Sequence, residues 1–210
     1  MKLYGFGAAA NAQRVRVFLA EKGVEIPLVE VNVREGEQYS EPWASMNPFN
    51  CVPFLELDDG TVIAESMTIC RYIEELHPEP SLFGRTPGER AQIDMWCRRI
   101  ELDGFLPMLH AVRNHVPMFS GRVIPGTRSD RPQLPALVQR GTEMMEVFLG
   151  RFEPHMADRE FVARDRFTAA DIIGYFAVRT TGVVGMAIED RFPAVARWFA
   201  ACSGRPAFSL

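Results

Sequence analysis

The pattern of apolar residues at the start of the chain predicts a strand, a helix and a second strand. Residues 2–6 form a short apolar segment, and apolar residues then recur at helical spacing from Val15 up to Gly23, a glycine placed to end a helix. Residues 29–34 alternate strictly between apolar and polar side chains, as expected of a half-buried strand. The beginning of the chain is therefore predicted to form a βαβ unit.

A hairpin and a further helix follow this unit. Residues 53–57 and 61–64 are strand-like segments on either side of a turn whose Gly60 can adopt a positive φ. From Ser66 apolar residues return at helical spacing, and Pro78 ends the pattern because a helix interior does not accommodate proline. The first 78 residues thus predict an α/β domain of βαβ-ββα order.

Beyond residue 78 the pattern changes to helices. Residues 79–87 contain prolines and a glycine and predict a linker, and residues 88–210 predict an all-α C-terminal domain. Helical periodicity is found in four segments of that domain, 88–118, 134–152, 168–185 and 191–203.

The clearest sequence signal for a helix N-terminus in the C-terminal domain lies at Thr168. Thr168 at the N-cap and Asp171 three residues later match a capping box, in which each side chain bonds the other residue's backbone N–H. Because a cap already accounts for this carboxylate, we predict a structural role for Asp171 and not a catalytic one.

Composition and charge narrow the classes of function. The chain of 210 residues is 47% hydrophobic, enough for a packed core, and has a formal net charge of −4. No run of Lys or Arg is dense enough to follow a phosphate backbone, so we expect no nucleic-acid partner. No segment is long and apolar enough to span a bilayer, and the first residues lack a signal-peptide pattern, so we expect no membrane partner.

The spacing of cysteine and histidine predicts neither a disulfide framework nor a metal site. The four cysteines have no CxxC spacing, which favours a reducing, cytoplasmic setting. The histidines also lack ligand spacing, since His110 and His115 are five residues apart and point to different faces of a helix.

Pro53 stands at the start of a predicted strand and has two interpretations. One is an ordinary proline at a strand start or edge, where a missing N–H does no harm. The other is a cis Val52–Pro53 bond, which would turn the N–H and C=O of Val52 outward to pair with an extended ligand backbone. The residues alone leave both open.

Glu65 and Ser66 lie where a strand becomes a helix. The Ser66 hydroxyl and the nearby amides at a helix N-terminus favour a carboxylate, and Glu65 could hold a neighbouring ammonium. A ligand with both charges on one carbon would suit the pair. The alternative is a plain helix cap beside an exposed acid.

Taken in order, these segments resemble the glutathione transferase superfamily. The set comprises Arg14-Val15-Arg16 in the first helix, Asn47-Pro48 followed by Val52-Pro53-Phe54-Leu55, then Asp59-Gly60 and Glu65-Ser66. Each piece is weak alone, whereas the ordered set is specific, and the resemblance covers the whole chain. It implies a thioredoxin-like N-terminal domain, an all-helical C-terminal domain and glutathione as co-substrate.

The resemblance also implies a role for each binding residue. Glu65 and Ser66 would bind the γ-glutamyl end of glutathione, and Val52 and Pro53 would pair with its cysteinyl backbone. Gln38 lies in the loop position from which family members reach the glycine carboxylate.

One position departs from the family pattern. Family members commonly have a basic residue just before the Val-Pro step, where this chain has Cys51. The glycine end of glutathione would then be left to Gln38 and Arg34, with Cys51 a small filler or a thiol worth testing.

The thiol-activating residue is a second departure. By the register of Arg14-Val15-Arg16, the family's catalytic serine position falls on Ala9, which has no hydroxyl. Asn11 matches the position at which members resembling the Nu class use an asparagine. The resemblance therefore implies that Asn11 donates a hydrogen bond to the glutathione sulfur; the alternative is that Asn11 only caps the first helix.

The implied activity is a glutathione transferase, in which the bound thiolate attacks a small hydrophobic electrophile. Two alternatives remain: glutathione-dependent reduction of a disulfide or peroxide by the same fold, and a non-catalytic binding or interaction module. Membership also implies a homodimer. The electrophile pocket is expected along one segment of the helical domain, with core packing as the alternative for each side chain: Met108, His110, Arg113, Met118 and Phe119.

Overall fold

The chain divides into two units at Pro80. The computed structural model describes residues 1–209, of which residues 1–80 form the first unit and residues 81–209 the second. Within this described range the strands all belong to the first unit, and the second unit is helical.

The strands of the first unit form one mixed sheet. In chain order, within residues 1–209, they are β1 (Lys2–Gly5), β2 (Leu28–Glu30), β3 (Phe54–Glu56) and β4 (Val62–Ala64). Their spatial order is β2-β1-β3-β4, with β1 parallel to β2 and antiparallel to β3, and β3 antiparallel to β4. The predicted βαβ-ββα order is therefore confirmed.

Three helices accompany the sheet: α1 (Ala10–Lys22), the single turn α2 (Trp43–Met46) and α3 (Ser66–Leu76). α1 packs against α3 and ends at Gly23, whose φ of 64° lies in the left-handed region that glycine adopts most readily. Phe18 on α1 and Ile69 and Ile73 on α3 are completely buried, because each helix turns its apolar face inward.

The second strand is shorter than the alternation of residues 29–34 predicts. β2 ends at Glu30, and a turn follows because the Asn32 side chain accepts hydrogen bonds from the N–H groups of Arg34 (3.1 Å) and Glu35 (3.3 Å). Val31 still donates to Gly5 C=O at 2.7 Å and is fully buried. The prediction of a strand to residue 34 is wrong because the backbone N–H groups after Asn32 bond to its side chain and not to a neighbouring strand.

The second unit contains five α-helices within its described residues. The helix pattern predicted over 88–118 is divided by a π-helical stretch at Ile100–Phe105, and the pattern over 168–185 becomes a 3₁₀ turn after Arg179. The helices are α4 (Pro87–Arg99), α5 (Leu106–His115), α6 (Pro135–Met156), α7 (Ala169–Arg179) and α8 (Pro193–Ser203).

The buried Asp171 carboxylate joins several segments of the second unit by hydrogen bonds. Its carboxylate accepts hydrogen bonds from the Thr168 N–H (2.9 Å) and hydroxyl (3.1 Å), which confirms the capping box. It also accepts from the Val162 N–H (2.9 Å) and the Trp198 Nε1–H (3.0 Å). Burial outweighs these donors and raises the pKa of Asp171 to about 6.

Candidate active site

The sheet register brings three functional segments to one end of the first unit. Tyr4 pairs with Phe54, and Phe54 pairs with Ala64, so these three residues lie side by side on β1, β3 and β4. The next residues at this end are those leading from β1 into α1, Pro53 before β3 and Glu65 after β4. Because neighbouring strands lie about 4.8 Å apart, the three segments are held within reach of one small ligand.

Asn11 is the second residue of α1 and does not cap it. The N-cap is Ala9, which makes no side-chain cap, and the first turn contains no acidic residue. Asn11 is half-buried, its Oδ1 is buried without a partner, and its amide makes no hydrogen bond within residues 1–209. The capping alternative is therefore not realised, and the amide is available beside the positive end of the helix dipole.

Tyr4 lies on β1 at the same end of the sheet, and its hydroxyl donates a hydrogen bond elsewhere. The ring is buried against Phe54 at a centroid distance of 4.8 Å, and the hydroxyl donates to the Glu56 carboxylate at 2.7 Å. Burial, together with Glu56, raises the pKa of Tyr4 to about 12. A phenol so placed does not stabilise a thiolate.

The Val52–Pro53 peptide bond is cis, as the second interpretation of Pro53 requires, and the pairing of Val52 with a ligand backbone stays a prediction. The N–H and C=O of Val52 make no hydrogen bond to any other residue in the described range. Asn47, which is buried, shapes this loop: its side chain donates to Cys51 C=O at 2.8 Å and accepts from the Phe49 N–H at 3.2 Å. Asn47 is thus a positioning residue, for which the Asn-Pro turn signal is the only clue in the sequence.

Glu65 has a backbone conformation that non-glycine residues seldom adopt. Its φ is 71° and ψ 121° at the junction of β4 and α3, and its C=O accepts the Ile69 N–H at 2.9 Å. Such conformations cost about 1–3 kcal/mol and are concentrated at functional sites. The Glu65 carboxylate is exposed and makes no ion pair or hydrogen bond with the described chain.

Ser66 begins α3 directly beside Glu65. It is 5% exposed, and its hydroxyl makes no hydrogen bond within residues 1–209. The first turn of α3, an 11-residue helix, contains no acidic residue. Because no side chain caps this N-terminus, its N–H groups are suited to a carboxylate.

Gln38 and Arg34 follow β2 on the chain. Gln38 lies in a 3₁₀ turn (Glu37–Tyr39), is 7% exposed, and has an Oε1 that is buried without a partner among the residues described. The Arg34 guanidinium lies 5.5 Å from the centroid of the Phe6 ring. Cys51, in the place of the family's basic residue, is half-buried.

Only some of the residues expected to form the electrophile pocket in the second unit are exposed. Met108 is completely buried in α5, so core packing is the correct interpretation for this residue and its assignment to the pocket is wrong. His110 is exposed, Met118 is 44% exposed, and the Arg113 guanidinium lies 4.8 Å from the Phe119 ring centroid.

Among residues 1–209, no cluster of three or more His, Cys, Asp or Glu side chains is arranged to hold a metal ion. Over the same range, no helix combines the length and the apolar character required to traverse a bilayer.

Comparison with known proteins assigns the chain to a family. Residues 1–75 match the family description "Glutathione S-transferase, N-terminal domain" and residues 111–206 match "Glutathione S-transferase, C-terminal domain". The chain is 30% identical to glutathione S-transferase 2 of Saccharomyces cerevisiae, covering 98% of this chain and 87% of that protein. It is 31% identical to glutathione S-transferase F13 of Arabidopsis thaliana, covering 99% and 93%.

Solved structures agree with these matches. A glutathione S-transferase domain-containing protein of Marinobacter aquaeolei superposes with a TM-score of 0.87 at 32% identity, covering 99% of this chain and all of that one. Gtt2 of Saccharomyces cerevisiae superposes with a TM-score of 0.89 at 29% identity, covering 100% and 99%. The fold is thus a thioredoxin-like unit with an all-helical unit. The chain belongs to the glutathione S-transferase family and is a glutathione transferase.

Proposed function

We propose that the enzyme binds glutathione across the sheet end of its first unit and uses Asn11 to stabilise the thiolate, which attacks a small apolar electrophile. The observation that carries this proposal is the set of unpartnered polar groups that the sheet register gathers at this end. The Val52 backbone, the Glu65 carboxylate and the Ser66 hydroxyl make no hydrogen bond with the described chain, and the Asn11 amide stands at the start of the helix that follows β1.

Each part of glutathione has a partner of matching chemistry. The Glu65 carboxylate takes the γ-glutamyl ammonium, and Ser66 with the α3 N-terminus takes the adjacent carboxylate. Val52 pairs its N–H and C=O with the cysteinyl backbone as an added strand would, next to Pro53. The glycine carboxylate is left to the Gln38 amide, with Arg34 as the nearest cation on the same loop.

The bound thiolate is the nucleophile, since residues 7–16 contain no cysteine. Asn11 donates to the sulfur, and the first amides of α1 add the positive end of the helix dipole. We infer a cytoplasmic location from the co-substrate, because the cytosol keeps glutathione reduced.

We also propose a homodimer that forms through an exposed aromatic side chain of one copy and a pocket of the other. Phe49 in the first unit is 74% exposed. The second unit has a pocket of about 350 Å³ lined by Asp103, Arg140, Met144, Val147 and Phe148 among others. In a two-fold dimer, each Phe49 would enter the pocket of the other copy.

The test is calorimetric titration of glutathione, followed by turnover of a generic aryl halide. We expect saturable binding and conjugation in the native enzyme. Ser66→Ala should weaken glutathione binding by about tenfold or more, the worth of one hydrogen bond to a charged group. Ser45→Ala, an exposed serine on α2, is the matched control and should bind as the native enzyme does.

The same assays separate the reaction types. Substitution of a small disulfide or hydroperoxide for the aryl halide, with oxidised glutathione as the measured product, tests the reductase alternative. Glutathione binding without turnover of any of these substrates would leave the catalytic proposal without support. Absence of saturation at millimolar glutathione would refute the binding site itself.

A further inference from the structure

The order of the strands assigns the two ends of a bound tripeptide to different segments of the first unit. In the spatial order β2-β1-β3-β4, the Glu65–Ser66 junction follows β4 at one edge, and the loop that contains Gln38 follows β2 at the other. Val52 lies between them, directly before Pro53 and β3. A ligand that is held at its γ-glutamyl end by the junction and pairs with Val52 therefore directs its glycine end towards the loop after β2.

This loop, residues 30–41, is acidic, and we call it the β2 loop. Its residues include four glutamates and one arginine, a formal net charge of −3. The Glu30 carboxylate lies at the segment that leads into α1, since its Oε1 accepts the Gly7 N–H at 3.2 Å. Glu37, directly before Gln38, accepts the Asn32 N–H at 2.6 Å. Negative charge is thus held in the segments that meet at the glycine end.

Positive charge is sparse in the same segments. Arg34 is the arginine of the β2 loop, and its guanidinium lies 5.5 Å from the centroid of the Phe6 ring. The residue directly before Val52 is Cys51, which is half-buried and contributes no ammonium or guanidinium group. The Asn47 side chain fixes this residue beside Val52 by donating to Cys51 C=O at 2.8 Å. With one guanidinium against four carboxylates in the β2 loop, a ligand carboxylate gains little at this end.

The Gln38 carboxamide can donate and accept a hydrogen bond at the same time. The residue is 7% exposed, and its Oε1 is buried without a partner among the described residues. A buried acceptor without a donor is unfavourable, and the broad terminal torsion of glutamine lets the group present either atom to a ligand. A carboxylate can accept from the Nε2–H but leaves the oxygen without a donor. A primary amide satisfies both atoms, because it also donates an N–H to the oxygen.

We propose, in a step that rests on the proposed function, that this end of the site selects γ-glutamyl thiol peptides whose glycine carboxylate is capped as an amide, in preference to glutathione itself. The amide removes the charge that the β2 loop repels and supplies the hydrogen that the Gln38 oxygen lacks. Gln38 is then the residue that determines this specificity. Glutathione still binds through the groups at Val52, Glu65 and Ser66, with lower affinity.

The test compares three ligands in calorimetric titrations at neutral pH: glutathione, its glycine amide and its glycine methyl ester. The ester lacks the charge but has no hydrogen to donate, so it separates the two contributions. We expect the amide to bind about tenfold more tightly than glutathione, and the ester to lie between them. The difference between glutathione and the ester should shrink as salt rises from about 20 to about 500 mM, whereas the difference between ester and amide should persist.

Substitutions at the glycine end separate the two contributions further. Cys51→Lys adds a cation and should raise affinity for glutathione about fivefold, the upper range for an exposed ion pair, with the affinity for the amide unchanged. Cys51→Ser, the matched control without a charge, should retain the native preference. Gln38→Met keeps the length of the side chain and should lower the affinity for the amide to that for the ester. Ser66→Ala, at the opposite end, should weaken all three ligands by the same factor.

The possible outcomes distinguish this proposal from the one on which it rests. Glutathione that binds as tightly as its amide, or more tightly, would overturn the selectivity while the glutathione site stands. A margin of amide over ester that persists in Gln38→Met would overturn the role of Gln38. Absence of saturation with all three ligands at millimolar concentration would instead refute the proposed function.

Discussion

The Asn11→Ala substitution tests the thiol-activating step directly. The Asn11 amide makes no hydrogen bond within residues 1–209 and its Oδ1 is buried without a partner, so its removal breaks no hydrogen bond that supports the fold. An asparagine that capped α1 would instead cost about 1 kcal/mol on replacement by alanine. We therefore expect the free energy of unfolding in urea to remain unchanged or to rise slightly.

The effect on the thiol follows from the strength of one hydrogen bond. A free thiol has a pKa near 8.5, so it is mostly protonated at neutral pH. A hydrogen bond to a charged group contributes about 1.5–3 kcal/mol, which at about 1.36 kcal/mol per pKa unit lowers the thiol pKa by roughly one to two units. The α1 amides supply the remaining stabilisation and stay in place in the variant.

We expect the pKa of bound glutathione to rise by about one to two units in Asn11→Ala, and kcat/KM at neutral pH to fall about tenfold or more. The fall should diminish near pH 9, where both proteins hold the thiolate. The pKa is measured from the ultraviolet absorbance of the thiolate in the binary complex, and kcat/KM is followed over the same pH range.

Two further substitutions at the same position sharpen the test. Asn11→Ser keeps a donor and should restore part of the pKa shift, whereas Asn11→Asp keeps the shape, cannot donate when ionised and should raise the thiol pKa further. Unchanged thiol pKa and unchanged turnover in Asn11→Ala would refute the reasoning and assign activation to the backbone amides of α1.

Three other predictions concern stability and assembly. The Lys22 side chain is fully buried in an ion pair with Glu74. Because Lys22→Met leaves the Glu74 charge buried without this partner, the free energy of unfolding measured in urea should fall by about 3–5 kcal/mol. The double variant Lys22→Met/Glu74→Leu removes both charges and should recover part of that loss. Asp171 has a folded pKa of about 6 against an ordinary 3.8, so the folded state retains a proton between these values and stability should decrease by about 3 kcal/mol as pH rises through this window. Asp171→Asn should lack that component in denaturation at a series of pH values, and an identical pH profile would contradict the assignment. Phe49→Ser should shift the protein towards monomer in light scattering, whereas Leu28→Ser, at another exposed apolar residue, should not.

The sequence by itself determined the order of the elements and predicted the residues of the candidate site. Apolar periodicity marked α1 and α3, the Asp-Asp-Gly turn marked the hairpin, and the capping box marked the start of α7, because each signal is local and acts through neighbouring residues. The ordered motif set also identified the family, because several local motifs occur in the order that is typical of it.

Only the tertiary structure decided which groups are satisfied. The Asn11 side chain could have capped its helix, and only the fold leaves that amide without a partner. The positive φ of Glu65 arises where β4 meets α3, and the complete burial of Met108 follows from packing around α5. Burial and hydrogen-bond satisfaction depend on residues distant in sequence, whereas periodicity records only near neighbours.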